Sequence, residues 1–217
     1  MSQVGVRSDD PKAPWFGWTA SVITEIILPG VGAWIVPPGV TRIFVEAYGT
    51  GGPGRGDMGL TGGGGGGGGA FASKNLIVVP GESLDYNMGG GTDTELCRGW
   101  ADPLVRAAAG QAGVDGGEGG LAADCIGDVI FGGGDGALGG VPFGGGGGSA
   151  AGPASAGNDA VDRIGGAAVA GGGPSGDGGL LSDDGVNGGD FGGGGGGGAS
   201  VGGLGGSAGI GCLRISY

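Results

Sequence analysis

The residues best placed to do chemistry in this chain are Glu95, Arg98, Trp100 and Arg106, within the long and varied insert Thr92–Ala109. A tryptophan flanked by arginines is the composition of a binding hot spot. The chemistry it offers is recognition of a glycan or of a protein surface, with no bond made or broken. The competing reading has Trp100 closing the end of neighbouring glycine segments. A second group, Asp183, Asp184 and Asp190, could gather a calcium ion, since hard cations take clustered carboxylates. The plainer reading is a solvated acidic loop, and the Gly/Asp spacing is not the sustained repeat that calcium-binding nonapeptides need.

Enzymatic chemistry finds little support. The chain has no histidine, so zinc sites and histidine-based triads lose their usual members. No GK[ST] is present, and the many GxGxxG matches lack the βαβ unit that gives that spacing meaning. A carboxylate pair could hydrolyse glycans, but the inserts offer few aromatics beyond Trp100 to line a cleft. Arg55-Gly56-Asp57 is an integrin-type tripeptide that arises easily by accident in a glycine- and acid-rich chain. The expectation is a non-enzymatic protein without cofactors.

These side chains must be positioned by an unusual chain. Of 217 residues, 68 are glycine, with runs such as Gly62–Gly69 and Gly192–Gly198. Each glycine in a helix or strand costs roughly 0.5–1 kcal/mol against alanine. Such runs are therefore either disordered or stretches where the absence of side chains is required. A hydrophobic fraction of 38% favours order, because chains that cannot bury apolar surface show the opposite balance. Scattered prolines and irregular spacing exclude collagen.

The net charge of −12, with nine basic residues that never cluster, excludes nucleic acid as a partner. The apolar stretch from Ala20 to Val36 is interrupted by Glu25, Pro29 and Gly30, well short of a membrane span, so no membrane insertion is expected. The opening MSQVGVRSDD lacks the basic region of a signal peptide. Cys97, Cys125 and Cys212 lack metal-type spacing and read as free thiols, with a Cys97–Cys125 disulfide as the alternative.

Residues 1–31 are set apart by Trp15, Phe16 and Trp18, which suit an anchor that docks on a partner or, equally, a plug for the chain's own core. Ser21–Leu28 reads as a strand. Ala33–Val36 leads through the turn Pro37-Pro38-Gly39 into Thr41–Tyr48, where Ile43, Val45 and Ala47 share one face. Asn75–Val79, the turn Pro80-Gly81 and Ser83–Met88 read as a further hairpin, and Cys212–Tyr217 as a last strand. The chain ends are expected to pair in one sheet. Between them, about 89–211 is expected to be a glycine bundle, with helix-compatible sequence only around Pro103–Ala109. Phe131, Phe143, Phe191 and Leu204 stand beside glycine tracts as expected caps.

An ordered glycine tract would be an extended helix of three residues per turn and about 3.1 Å rise, without internal hydrogen bonds. Its amides and carbonyls must then bond sideways to neighbouring rods, and the connecting loops must collect at the rod ends. The expected fold is mainly β plus polyglycine II, with little α-helix.

The segments WIVPPGVTRIFVEAYGTGG and GGGGGGGGAFASKNLIVVPGESLDYNMGGG, followed by interrupted tracts and the strand CLRISY, resemble the glycine-rich domain of bacteriophage tail fibre and adhesin proteins. The resemblance spans about 32–217. It implies a small β part joined to a bundle of polyglycine II helices that displays loops to a receptor on the bacterial surface, a glycan or an outer-membrane protein. It also implies a virion protein assembled in the host cytoplasm, with other tail or capsid proteins as partners and a homo-oligomer as a further expectation. The alternative within the same group is a head or tail decoration protein docked by residues 1–31. An ice-binding protein uses similar flat glycine bundles and stands third.

Overall fold

The computed structural model describes residues 23–27, 29–89 and 91–217. Among them lie nine strands and a single short 3-10 turn, Ala122–Asp124. The strands are β1 (Thr24–Ile27), β2 (Gly30–Ile35), β3 (Arg42–Tyr48), β4 (Phe71–Ile77), β5 (Ser83–Met88), β6 (Thr94–Cys97), β7 (Pro103–Ala107), β8 (Val129–Phe131) and β9 (Cys212–Ser216). They form two antiparallel sheets, ordered β1-β9-β3-β4-β8 and β2-β5-β6-β7.

The sheets pack face to face. Period-two alternation turns Ile43, Val45 and Ala47 of β3 inward, and these meet Leu84, Leu96 and Val105 of the opposite sheet in one buried cluster. As expected, the chain ends pair: β9 lies between β1 and β3. The four residues of β1 fall inside the 1–31 segment, whereas Trp15, Phe16 and Trp18 lie outside the described residues.

Two expectations about local structure are corrected. The Pro-Gly turns do not close hairpins. β2 pairs with β5 and β3 with β4, so each turn carries the chain from one sheet to the other. The two crossings brace one another: Val36 N–H donates to Glu82 O at 2.9 Å, and Val78 N–H to Thr41 O at 3.0 Å. The helix-compatible stretch at Pro103–Ala109 is strand β7, because Val105 and Ala107 alternate inward and are fully buried. Tertiary burial outweighs the weak helical preference of its alanines. Strands β6, β7 and β8 thus lie within the 89–211 span expected as glycine bundle.

The remaining chain runs in extended segments without strand ladders, bonded laterally through the backbone. The tract Gly62–Gly69 shows the rule. Gly62, Gly65 and Gly68 N–H donate to the carbonyls of Gly140, Ala137 and Gly134; Gly63, Gly66 and Gly69 donate to Gly198, Gly195 and Gly192. Gly67 and Ala70 donate to Gln111 and Ala108. The tract's carbonyls accept in the same three-residue step: Gly64 and Gly67 from Arg55 and Gly52, Gly65 and Gly68 from Gly117 and Gly120, and Gly63, Gly66 and Gly69 from Gly145, Gly148 and Ala151. This one tract therefore has six bonded neighbours.

Residues 144–151 and 192–198 are the other two interior segments, bonded to the first and to each other, for example Gly194 N–H to Gly148 O at 2.9 Å. The longest pure glycine runs are interior because every direction around them is occupied by another backbone. A Cβ on Gly66 would strike the carbonyl oxygen of Gly52, and one on Gly195 that of Gly206. At the periphery one direction in three is open. In 203–210, Gly203, Gly206 and Gly209 are buried, while Leu204, Ser207 and Ile210 are exposed.

The segments meet the sandwich at one end, where Tyr48 stacks edge-on against Phe71 and Phe191 at 5.0 and 5.2 Å between ring centroids. Ala151, Cys212 and Phe131 complete that seam. Phe131 and Phe191 thus cap the tracts as expected, but Leu204 is 67% exposed and caps nothing.

Candidate functional site

The candidate residues of the insert separate into two places. Glu95 on β6 and Arg106 on β7 face one another in register, with Arg106 Nη1 3.9 Å from Glu95 Oε1. Arg106 Nε donates to Asp124 O at 2.6 Å and lies 3.9 Å from Asp93 Oδ2. Arg98 and Trp100 are at the β6–β7 tip. There Arg98 Nε donates to Glu82 Oε1 at 2.5 Å and Nη2 to Ile77 O at 3.3 Å. The guanidinium's hydrogen bond holds the Glu82 carboxyl below the usual carboxylate range.

Trp100 sits in the tight turn that Asp102 N–H closes on Gly99 O at 3.2 Å, where Gly99 has φ 69°. It is 60% exposed. The contacts of Arg98 set this tip beside the 77–82 crossing, at the sandwich end remote from the seam. Trp100 therefore does not close the glycine rods.

At the opposite end of the molecule the register of the segments gathers four loops, 56–61, 141–143, 180–183 and 199–203, with the tight turn 161–164 beside them through Gly146 N–H on Asp162 O and Gly178 N–H on Arg163 O. Gly62 bonds Gly140, Gly63 bonds Gly198, Gly144 bonds Gly179, and Asp57 bonds Gly203. The loops are apolar where loops are usually polar. Met58, Leu60, Val141, Leu181 and Val201 are all exposed, Leu60 at 88%, as are Leu138 and Leu204 on the segments directly beside the loops. Two carboxylates at this end cap backbone amides while remaining exposed: Asp57 Oδ2 accepts from Gly202 N–H and Asp184 Oδ1 from Leu204 N–H, both at 2.8 Å. The Arg55-Gly56-Asp57 tripeptide thus has its carboxylate engaged by the backbone. Exposed hydrocarbon stands at this end beside exposed Arg55, Thr61 and Asp183, in a larger apolar grouping than the single residues scattered over ordinary surfaces.

The three aspartates considered for calcium are not brought together. Asp183 and Asp184 lie at the loop end, and Asp190 lies at the seam beside Phe191. Among the described residues no three His, Cys, Asp or Glu side chains converge as a metal site. Nor does any helix there have the length and apolarity to cross a membrane. Cys97 and Cys212 are buried, unbonded thiols pushed up to about 11 by burial; burial also raises Cys125.

The apolar loop end was missed in the sequence because its members are single residues scattered over about 150 positions. One signal could have found it. Successive long tracts run back and forth, so every second inter-tract loop belongs to the same end, and those loops carry the isolated leucines and valines. The chain matches no protein-family model and no curated protein sequence.

Proposed function

We propose that this chain is a virion adhesin of the tail-fibre type, in which polyglycine II helices present the four apolar loops to a receptor on the bacterial surface. The observation that carries the reading is the loop end itself: exposed Met58, Leu60, Val141, Leu181, Val201 and Leu204 on segments locked by lateral backbone bonds. A rigid scaffold lowers the ordering cost of binding. Clustered exposed apolar side chains, with the Asp57 and Asp184 carboxylates already engaged by backbone amides, suit a protein surface better than a glycan, so an outer-membrane protein is the preferred receptor class. Other virion proteins would hold the opposite end, in a particle assembled in the host cytoplasm.

The second reading, a decoration protein, draws on the chain's polarity. Ile23 exchanges backbone hydrogen bonds with Tyr217 at 3.0 Å each, so the chain before residue 23 joins at the sandwich end, remote from the loops.

The test is adsorption of particles carrying variants of this chain. Leu60→Asp with Leu204→Asp should reduce adsorption at least ~tenfold while leaving the melting temperature unchanged, because both side chains are exposed. Arg98→Ala with Trp100→Ala tests the other end. Loss there alone would move the receptor site to the β6–β7 tip. Deletion of residues 1–22 should release the protein from particles. Normal adsorption by every variant would leave the decoration reading in place of the adhesin.

A further inference from the structure

A cleft of about 420 Å³ opens on the flank of the seam, where β7 leaves the sandwich and continues as an extended segment through Gln111. Its wall is made by Asp93, Arg106, Gln111, Glu118, Leu121 and Asp124. The volume is that of ordinary small-ligand sites. The cleft lies far from the apolar loops, so its binding chemistry is independent of whether those loops hold a receptor.

Hydrogen bonding inside this cleft is only partly used. Arg106 commits Nε to the Asp124 carbonyl, with Asp93 Oδ2 3.9 Å from that same nitrogen, while its terminal nitrogens come no closer than 3.9 Å to Glu95. Among the described residues they have no hydrogen bond. Asp93 Oδ1 accepts from Ala109 N–H at 2.9 Å, leaving Oδ2 available. Gln111 N–H donates to Glu118 O at 2.8 Å, which sets these two residues side by side on adjacent segments. Both are exposed, and neither side chain has a hydrogen-bond partner among the described residues. Donors (Arg106 and the Gln111 amide) and acceptors (Asp93 and Glu118) therefore line one space.

Three ligand classes can be separated by this arrangement. Anions meet the carboxylates of Asp93, Glu95, Glu118 and Asp124 against a single guanidinium and are repelled. A metal ion would need three converging oxygen or sulfur side chains, and none converge among the described residues. A hydroxyl group, in contrast, both donates and accepts, so adjacent hydroxyls on one ring can serve a guanidinium and a carboxylate together. Leu121, 44% exposed, supplies an apolar flank for the C–H side of such a ring. We infer that this cleft is a binding site for a neutral polyhydroxylated ring, a single uncharged saccharide unit.

The experiment is a titration of the full chain, followed by backbone amide NMR, with the methyl glycosides of glucose, galactose and mannose, with N-acetylglucosamine, with glucuronate and with calcium chloride. At least one neutral sugar should shift the amides of Arg106, Gln111, Glu118 and Leu121 saturably, in the millimolar range. Glucuronate should bind at least ~tenfold more weakly. Gln111→Ala and Glu118→Ala should each weaken the neutral sugar at least ~fivefold with the rest of the spectrum unmoved, and Leu60→Asp with Leu204→Asp should leave it unchanged. No saturable shift from any neutral sugar, equal binding of glucuronate, shifts from calcium alone, or binding indifferent to Gln111 and Glu118 would each overturn the assignment.

Discussion

In the sandwich, Leu84, Leu96 and Val105 are fully buried against one another's side chains, whereas in the bundle Gly66 is equally buried and has no side chain at all. Burying a leucine or valine contributes about 1.5–3 kcal/mol. A backbone hydrogen bond nets only about 0.5–1.5 kcal/mol, and each glycine brings extra chain entropy to be lost. The sandwich is held by many contacts that can partly compensate for one another. The bundle is held by carbonyl-to-amide pairs, each of which requires its neighbour at one distance. Removing atoms should damage the first region, and adding atoms should damage the second.

The largest effect is expected from adding atoms to the interior of the bundle. Gly66→Val places carbon on the Gly52 carbonyl and forces two segments apart. Several amides lose their partners, each at about 1–3 kcal/mol, so a loss above about 5 kcal/mol is expected in chemical denaturation. Gly202→Ala, in a loop where a Cβ meets nothing within 4 Å, should cost far less and only through its φ of 74°. Equal effects would break the comparison.

Removing atoms comes next. Leu84→Ala in the sandwich core should cost about 2–5 kcal/mol and leave amide protection of Gly63–Gly69 in place under native conditions. Loss of that protection would show the two regions to be one cooperative unit.

Alkali should distinguish them more gently. Cys97 in the sandwich and Cys212 at the seam have thiols raised to about 11, while the interior glycine tracts hold nothing to titrate. A group raised in the folded state stabilises fully below its unfolded value, near 9, and loses that contribution as pH rises toward 11. The melting temperature should therefore fall over this window, by the equivalent of about 2 kcal/mol per thiol. Cys97→Ala with Cys212→Ala should flatten the fall.

The smallest effect concerns Arg98 and Glu82. The depressed Glu82 carboxyl stabilises above its unfolded value, and that contribution is lost as pH falls through the lower folded value. With Arg98 half exposed, the pair contributes at most about 1 kcal/mol. Arg98→Ala should remove a small acid-side slope in stability and nothing else.

Much of the sandwich was legible because alternation reports directly on burial: Ile43, Val45 and Ala47 lie inward as their spacing requires, and the closing strand pairs with β1 and β3. The Pro-Gly turns identified chain reversals but not whether a reversal stays within a sheet, since that choice is made by partners such as Glu82 and Thr41 far along the chain. Strand β7 was obscured because alanine is at home in helices and only Val105 marks its inner face. The seam cleft was half visible: Arg106 stood out in its insert, but Gln111 and Glu118 join it only through the path of the glycine segments.

The step with which each segment addresses a given neighbour has a consequence for how such a chain can change length. Because the same partner is met at every third residue, as with Gly62, Gly65 and Gly68 against 134–140, one inserted residue turns everything beyond it by a third of a revolution. Exposed residues such as Leu204 and Ile210 would then rotate into the interior, and buried glycines out of it. Viable length variants should therefore differ by whole triplets, a reading frame written in amino acids rather than in bases.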